Sequence, residues 1–270
     1  MSSLRLSFLG AGQMARALAG GFVRGGLIAG DAIIAHDPSA AACEQFAAGV
    51  PGARFVDSNR AAVQAAELVI VAVKPALVAP VGREVAGCWD AAPLIVSVAA
   101  GIPLQRLQTE FGTRRVIRVM PNTPCLVGRG ACGYAVGEGA TAEDAQQVDR
   151  LLATVGIAFE VDESLLDAVT GLAGSGPAFV YTVIEALSDG GVRMGLPRPI
   201  ATALAAQTVR GAAEMVQAEG QHPAVLRERV TSPAGTTISG MQALEQQGLR
   251  AALMAAVEAA TRRSVELAGQ

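Results

Sequence analysis

The stretch "LRLSFLGAGQMARALAGGFVRGG", residues 4–26, changes its hydrophobic period halfway along. Leu4 to Leu9 reads as a short buried strand, whereas from Gln13 onward the apolar residues recur at helical spacing, and Gly10 and Gly12 separate the two. Strand, glycine turn and helix in that order open a sheet whose strands are joined by helical crossovers. Gly10, Gly12 and Ala15 form G-x-G-x-x-A. The first glycine makes the tight turn, the second lets a pyrophosphate approach the backbone, and the small third residue lets helix and strand pack. The amides at the helix start then face the anion. Alone, the same pattern describes an ordinary structural turn; its context decides.

That context repeats. "AIIAH" (32–36) precedes the helical "PSAAACEQFAA", "ARFV" (53–56) precedes "SNRAAVQAA", "LVIVAV" (68–73) precedes "PALVAPVGREVAG", and "PLIVSVAA" (93–100) precedes "PLQRLQTEF". Alternation of this kind predicts a parallel sheet covered on both faces. Further strands are expected at 114–120, 132–136 and 158–161. From Ser164 the period becomes 3.6 and stays so through Leu165, Val169, Leu172, Ile200, Leu204, Val209 and Met215 to the tail from Leu249 to Leu267. The expected class is α/β: an N-terminal Rossmann-type doubly wound sheet that binds a dinucleotide (residues 1–163), followed by an all-α C-terminal domain (residues 164–270). A helical half of this length with few aromatics is expected to complete its core against another subunit.

Composition narrows the partners. The formal charge is −3, the pI is near 5.5 and the mean hydropathy is +0.39. There is no basic run to meet a phosphate backbone, and no uncharged apolar run reaches the ~18 residues of a membrane span. Neither nucleic acid nor a membrane is expected as a partner. The apolar segment near the start is too short for a signal peptide and runs straight into the glycine turn, which reads as a cytoplasmic address. Cys43, Cys88, Cys125 and Cys132 lack CxxC spacing, and His36 and His222 are far apart, so no metal site is expected. Of the 21 basic residues only Lys74 is a lysine.

Asp37 follows the second strand, 25 residues beyond Gly12. A carboxylate there accepts the adenosine ribose hydroxyls and repels a 2′-phosphate, which leans toward NAD; a plain turn or cap role is the alternative, and Ser39 with the helix start after Pro38 would soften the exclusion. "VAVKP" puts Lys74 and Pro75 at the C-terminal end of the fourth strand, the edge where open α/β sheets bind ligands. "SVAAG" (97–101) ends the fifth strand in small residues on the same edge. "MPNTP" (120–124) is a rigid turn, equally a strand terminator or part of the cleft. In "GSGPAFV" (174–180), Ser175 is a candidate cap and Pro177 a first-turn residue. "VTSPAGTTISG" (230–240) carries more hydroxyls, at Ser232, Thr236 and Thr237, than one helix cap requires. Loop amides and a helix start at Thr236 or Thr237 would suit a carboxylate.

In this order and at these intervals, "FLGAGQMA", "VAVKP", "SVAAG", "RVMPNTP", "DAVTGLAGSGPAFVY" and "VTSPAGTTISGMQALE" resemble the pyrroline-5-carboxylate reductases over essentially the whole chain. The resemblance implies reduction of the cyclic imine Δ1-pyrroline-5-carboxylate to proline, the last step of proline synthesis, with hydride from NADPH or NADH. It implies that Gly10, Ala11, Gly12, Gln13 and Met14 hold the pyrophosphate. Asn59, Val73, Lys74 and Pro75 would line the ribose and phosphate region, and Val98, Ala99 and Ala100 would face the nicotinamide. It further implies that residues 230–238, with Ser232, Gly235, Thr236 and Thr237, hold the substrate carboxylate, that Thr237 sits by the ring nitrogen, and that Glu163 matches an acidic position near the proline site. The family's helical domains intertwine as homodimers that can assemble further, with substrate between subunits.

Two departures stand out. Where the family has two glycines after the loop proline, this chain has Ala234 and Gly235, which requires a negative φ at residue 234. Where many members carry arginine or serine after the second strand, this chain has Asp37. The absence of lysine from the helical half argues against the β-hydroxyacid dehydrogenases, which use one there as proton donor. A reductase of another cyclic imino acid, of the pyrroline-2-carboxylate type, and a non-catalytic NAD(P)-binding regulator are the alternatives.

Overall fold

A computed structural model describes residues 4–64, 66–89 and 91–268. Ala65, within the helix expected over 58–66, and the outermost residues of the two expected domains lie outside the described residues. The strands are β1 (Leu6–Leu9), β2 (Ile33–His36), β3 (Arg54–Phe55), β4 (Leu68–Val71), β5 (Leu94–Ser97), β6 (Val116–Met120), β7 (Gly130–Val136) and β8 (Gly156–Glu160). They form one sheet in the order β3-β2-β1-β4-β5-β6-β7-β8. The order reverses between β1 and β4, which opens a crevice beyond their carboxyl ends.

Residue alternation along the strands feeds two cores. Leu6, Phe8, Ile33, Ala35, Ile70 and Val96 point to one face, under α1 (Gln13–Arg24), α2 (Ala40–Gly49) and α6 (Ala142–Ala153). Leu9, Val69, Val71 and Ile95 point to the other, under α3 (Asn59–Gln64), α4 (Pro75–Val85) and α5 (Leu104–Phe111). Phe46 from α2 sets its ring edge-on to Phe8 at 5.5 Å and to Phe55 at 5.8 Å, tying β1 to the outer strands.

The sheet departs from the all-parallel expectation at one junction, beyond which both β7 and β8 run against the other six strands. β7 runs antiparallel to β6, with Met120 opposite Gly133 and Ile117 opposite Val136. The link between them is only the single 3-10 segment Thr123–Val127, and a parallel pair needs a crossover of about a dozen residues or more. Asn122, nearly buried, braces this link: its Oδ1 accepts from the Ala131 amide at 3.0 Å and its Nδ2 donates to the Ala173 carbonyl at 3.0 Å. The "MPNTP" turn is therefore held by Asn122 through backbone groups on both sides.

After β8 the chain is helical: α7 (Leu166–Val169), α8 (Gly176–Arg193), α9 (Arg198–Glu219), α10 (Pro223–Arg229), α11 (Thr236–Gln246) and α12 (Leu249–Ala268), with a π-helical turn at Thr170–Gly174. Two compact units result, one of Met1–Ser175 with Ala259–Gln270, the other of Gly176–Glu258. In the first, the closing turns of α12 are fastened by Ser264 Oγ donating to Asp167 Oδ1 at 2.6 Å. In the second, α8 and α9 pack closely at Gly191, where a methyl group would stand 3.2 Å from the Ala201 Cβ, and Ser188 and Thr202 share a hydrogen bond at 2.8 Å. Many apolar side chains of this unit remain uncovered, among them Tyr181, Ile200, Leu204 and Met254.

One ion pair anchors α6. Asp144 forms a capping box with Thr141 and takes two bonds from Arg115, at 2.9 and 2.7 Å. The Arg115 hydrogen bonds hold the buried Asp144 carboxyl below its ordinary value. A lowered carboxyl contributes stability above its unfolded-state value and loses it as pH falls through the folded one. Asp144→Asn is therefore expected to cost about 2 kcal/mol at neutral pH. The gap from wild type should close in acid, below the usual carboxylate range, as read by thermal melts across pH.

Candidate active site

The crevice at the β1/β4 switch point is shaped by two glycines with different reasons to be glycine. Gly10 has φ +96°, and a Cβ on it would stand 3.0 Å from the carbonyl carbon and oxygen of Ala72, so neither conformation nor space admits a side chain. Gly12 is the N-cap of α1 with φ −69°, and a Cβ there would meet nothing within 4 Å. What Gly12 keeps clear is solvent space in front of α1, whose first amides have no side-chain cap. An open cradle of this kind before bare helix amides fits a pyrophosphate.

The cleft that continues from it has a volume of about 550 Å³. Of the residues singled out in the sequence, Gly10, Gly12, Gln13, Met14, Asp37, Asn59, Val73, Lys74, Pro75, Val98, Ala99 and Ala100 line it. Ala11, buried, and Ser39, exposed, are not among its lining residues. The Ala11 amide donates to Asp37 Oδ2 at 2.8 Å, and Ser39 caps α2 by accepting from the Ala42 amide at 3.3 Å. Lys74 is the exposed N-cap of α4 with Pro75 at its first position. Asn59 starts α3 and is oriented by donating from Nδ2 to Glu84 Oε2 at 2.8 Å.

The sequence reading passed over His36, Pro38, Ala72, Leu77 and Val81, which share the cleft wall. His36 was visible as the last residue of β2. Its Nδ1 lies 2.9 Å from the Val56 carbonyl, which can only accept, so that nitrogen carries a proton.

The hydroxyl-rich loop belongs to the helical unit. After α10, Pro233 and Ala234 make a turn closed by the Gly235 amide donating to the Ser232 carbonyl at 3.1 Å. Gly235 then caps α11 without any side-chain bond, so the first α11 amides are bare. Thr231 Oγ1 is committed to the Arg227 carbonyl. Among the described residues, the hydroxyls of Ser232, Thr236 and Thr237 have no protein hydrogen-bond partner, and Thr237 is half-buried. A Cβ on Gly235 would sit 2.2 Å from Ser232 Oγ, so a side chain there would turn that hydroxyl out of its present position.

Residue 234 does not keep the negative φ that its side chain prefers. Ala234 has φ +54°, the one left-handed non-glycine among the described residues. It occupies the third position of a Pro-led turn, where the chain geometry demands positive φ whatever residue is present. The methyl group costs about 1 kcal/mol in that region.

Glu163 makes contacts of a different kind. Its Oε1 accepts from the Leu104 amide at 2.6 Å, at the start of α5, and from Arg118 Nη1 at 3.1 Å. Arg118 is a β6 residue only 5% exposed, so Glu163 neutralises a buried guanidinium. These partners all belong to the first compact unit, whereas residues 230–238 belong to the second.

Comparison with known proteins places these features in a family context. Residues 163–267 match the pattern described as pyrroline-5-carboxylate reductase dimerisation, and residues 5–101 match that of NADP oxidoreductase, coenzyme F420-dependent. The chain is 46% identical over 267 residues to the pyrroline-5-carboxylate reductase of Pisum sativum, covering 98% of this chain and 96% of that one. It is 43% identical over 269 residues to that of Methanosarcina acetivorans, covering 99% of each. Among solved structures, Plasmodium falciparum pyrroline carboxylate reductase with NADP bound superposes with a TM-score of 0.88 at 31% identity, covering 99% of both chains. A pyrroline-5-carboxylate reductase from Coxiella burnetii gives 0.91 at 30% identity, covering 98% of this chain and 99% of that one.

Two substitutions probe these geometries. Gly12→Val should change stability by under about 1 kcal/mol, because its Cβ meets no protein atom, yet weaken dinucleotide binding by at least about tenfold. Thermal melts beside a calorimetric titration with NADH and NADPH separate the two effects. Ala234→Gly should raise stability by about 0.5 to 1 kcal/mol, opposite in sign to the loss that glycine causes at negative φ. Denaturant unfolding reads that sign directly.

Proposed function

The chain belongs to the pyrroline-5-carboxylate reductase family, and on that premise we infer how its residues carry out the family's reaction. It reduces Δ1-pyrroline-5-carboxylate to proline, using NADH or NADPH. The observation that carries the assignment of roles is the start of α11. Bare helix amides and the unpartnered hydroxyls of Ser232, Thr236 and Thr237 converge on one short turn and form a neutral receptor for a small carboxylate.

A reduced nicotinamide, when bound, supplies the hydride. The chain has to hold, orient and shield. Gly10 to Met14 and the α1 amides take the pyrophosphate, and Val98, Ala99 and Ala100 are small enough to admit a flat ring at the end of β5. Asn59, Lys74 and Pro75 form the wall between them. Ser232, Gly235 and Thr236 anchor the substrate carboxylate. Thr237 Oγ1 hydrogen-bonds the ring nitrogen and orients the imine carbon toward the hydride donor. A protonated imine is already electrophilic, so orientation and a carboxylate anchor replace a strong general acid. Glu163 pins the segment after β8 to α5 and Arg118.

Residues 164–270 act as the substrate-binding and dimerisation domain in this reading. The uncovered apolar residues Tyr181, Met194, Leu204 and Met254 speak for a second copy of the chain as their cover. No helix among the described residues is long and apolar enough to cross a membrane. We infer a cytoplasmic site of action, where reduced dinucleotide is at hand.

The direct test is the loss of reduced-nicotinamide absorbance when Δ1-pyrroline-5-carboxylate is added, with the pyrroline-2-carboxylate isomer in parallel. Turnover of the 5-carboxylate alone, or in large excess, is expected. Thr237→Ala should lower kcat/KM by about 10²-fold with an unchanged melting temperature. Full activity in that variant removes Thr237 from the chemistry.

A further inference from the structure

We propose that Asp37 makes this chain select NADH over NADPH, an inference that rests on the assignment of the Gly12 cleft to a dinucleotide. Asp37 follows the last paired residue of β2, and its carboxylate is clamped from two sides. Oδ2 accepts from the Ala11 amide of the glycine turn at 2.8 Å, and Oδ1 accepts from the Ser39 amide ahead of α2 at 2.9 Å. Two amides from two chain segments hold the group at the cleft wall, so it cannot swing away from an incoming ligand.

Each carboxylate oxygen has a second lone pair beyond the one used by its amide. A ribose 2′-hydroxyl is a donor and can complete that set. A 2′-phosphate brings negative charge and only acceptors to a place already negative and already acceptor-rich. The repulsion has to be offset by cations or free donors, and the geometry leaves few.

The Ser39 amide is spent on Asp37; Ser39 Oγ accepts from the Ala42 amide, which leaves its hydroxyl proton as the donor this turn retains. Among the described residues no arginine lines the cleft, and its single lysine, Lys74, stands at the end of β4. β4 is separated from β2 by β1, which puts two strand spacings, roughly 9.5 Å, between those strand ends. His36 shares the wall, but its Nδ1 proton is committed to the Val56 carbonyl, and in the neutral ring Nε2 is another acceptor. The clamp thus does two jobs: it fixes a carboxylate at the cleft wall and withdraws from the neighbouring turn a backbone amide that a phosphate would use.

The experiment is calorimetric titration of wild-type protein, Asp37→Asn and Asp37→Ser with NADH and with NADPH, at low and high salt, with thermal melts alongside. Wild type is expected to bind NADH at least about tenfold more tightly. That ratio should shrink as salt screens the repulsion. In Asp37→Asn and Asp37→Ser the ratio should fall toward one, with little salt dependence. Equal or tighter NADPH binding by wild type, or an unchanged ratio in a variant that melts normally, overturns the proposal. If the variants fail to fold, the wild-type ratio and its salt dependence still decide it. Failure of wild type to bind either dinucleotide is a distinct result, which overturns the assignment of the cleft itself.

Discussion

The structure depends on a backbone collision that only one residue type survives. At Gly10 the chain leaves β1 with φ +96° and passes so close to the Ala72 carbonyl that a single methyl group has no room. Because the turn is that tight, α1 starts immediately beyond the β1 edge and lies back over the sheet, where Ala15, Leu18 and Phe22 join the core containing Phe8. The same tightness brings the Ala11 amide within 2.8 Å of Asp37, so the first crossover and the end of β2 are locked to each other. The cleft exists because the turn is crowded on its inner side and empty on its outer side, at Gly12.

The helical unit meets an opposite demand. Its residues bury little within one chain, and its stability within a single copy rests on small-residue contacts such as Gly191 against Ala201. A turn in which Ala234 is held at positive φ is an added cost, and it lies between two helices rather than at a frayed terminus. Local strain of this kind persists where the surroundings over-determine the backbone. Here Pro233 presets the turn before it, and the Gly235 amide closes it by donating to the Ser232 carbonyl.

The two carboxylates singled out from the sequence use their oxygens in contrasting ways. Glu163 spends one oxygen on the α5 amide at Leu104 and a buried arginine, so its contacts are those of a brace within the first unit. Asp37 takes only backbone amides and lines the cleft. The sequence offered Asp37 by its place after the second strand, and Glu163 only through the family resemblance. Which partners approach depends on helices and strands far away in the chain: Leu104 and Arg118 for Glu163, Ala11 for Asp37.

The sequence by itself determined the alternation of strand and helix, the glycine turn, the change to a purely helical half after β8 and the membership of most cleft residues in a few short motifs. Those features are legible because hydrophobic period and glycine placement are local properties, set within one or two turns of chain. The direction of β7, the positive φ of Ala234, the presence of His36 in the cleft wall and the partners of Glu163 were decided only by tertiary structure. β7 turns back because a short link cannot cross the sheet. Ala234 yields to the turn around it, since a penalty of about 1 kcal/mol is small beside the packing that fixes both flanking helices. Contacts across tens of residues leave no period in the sequence, and that is why they became visible only once the chain was folded.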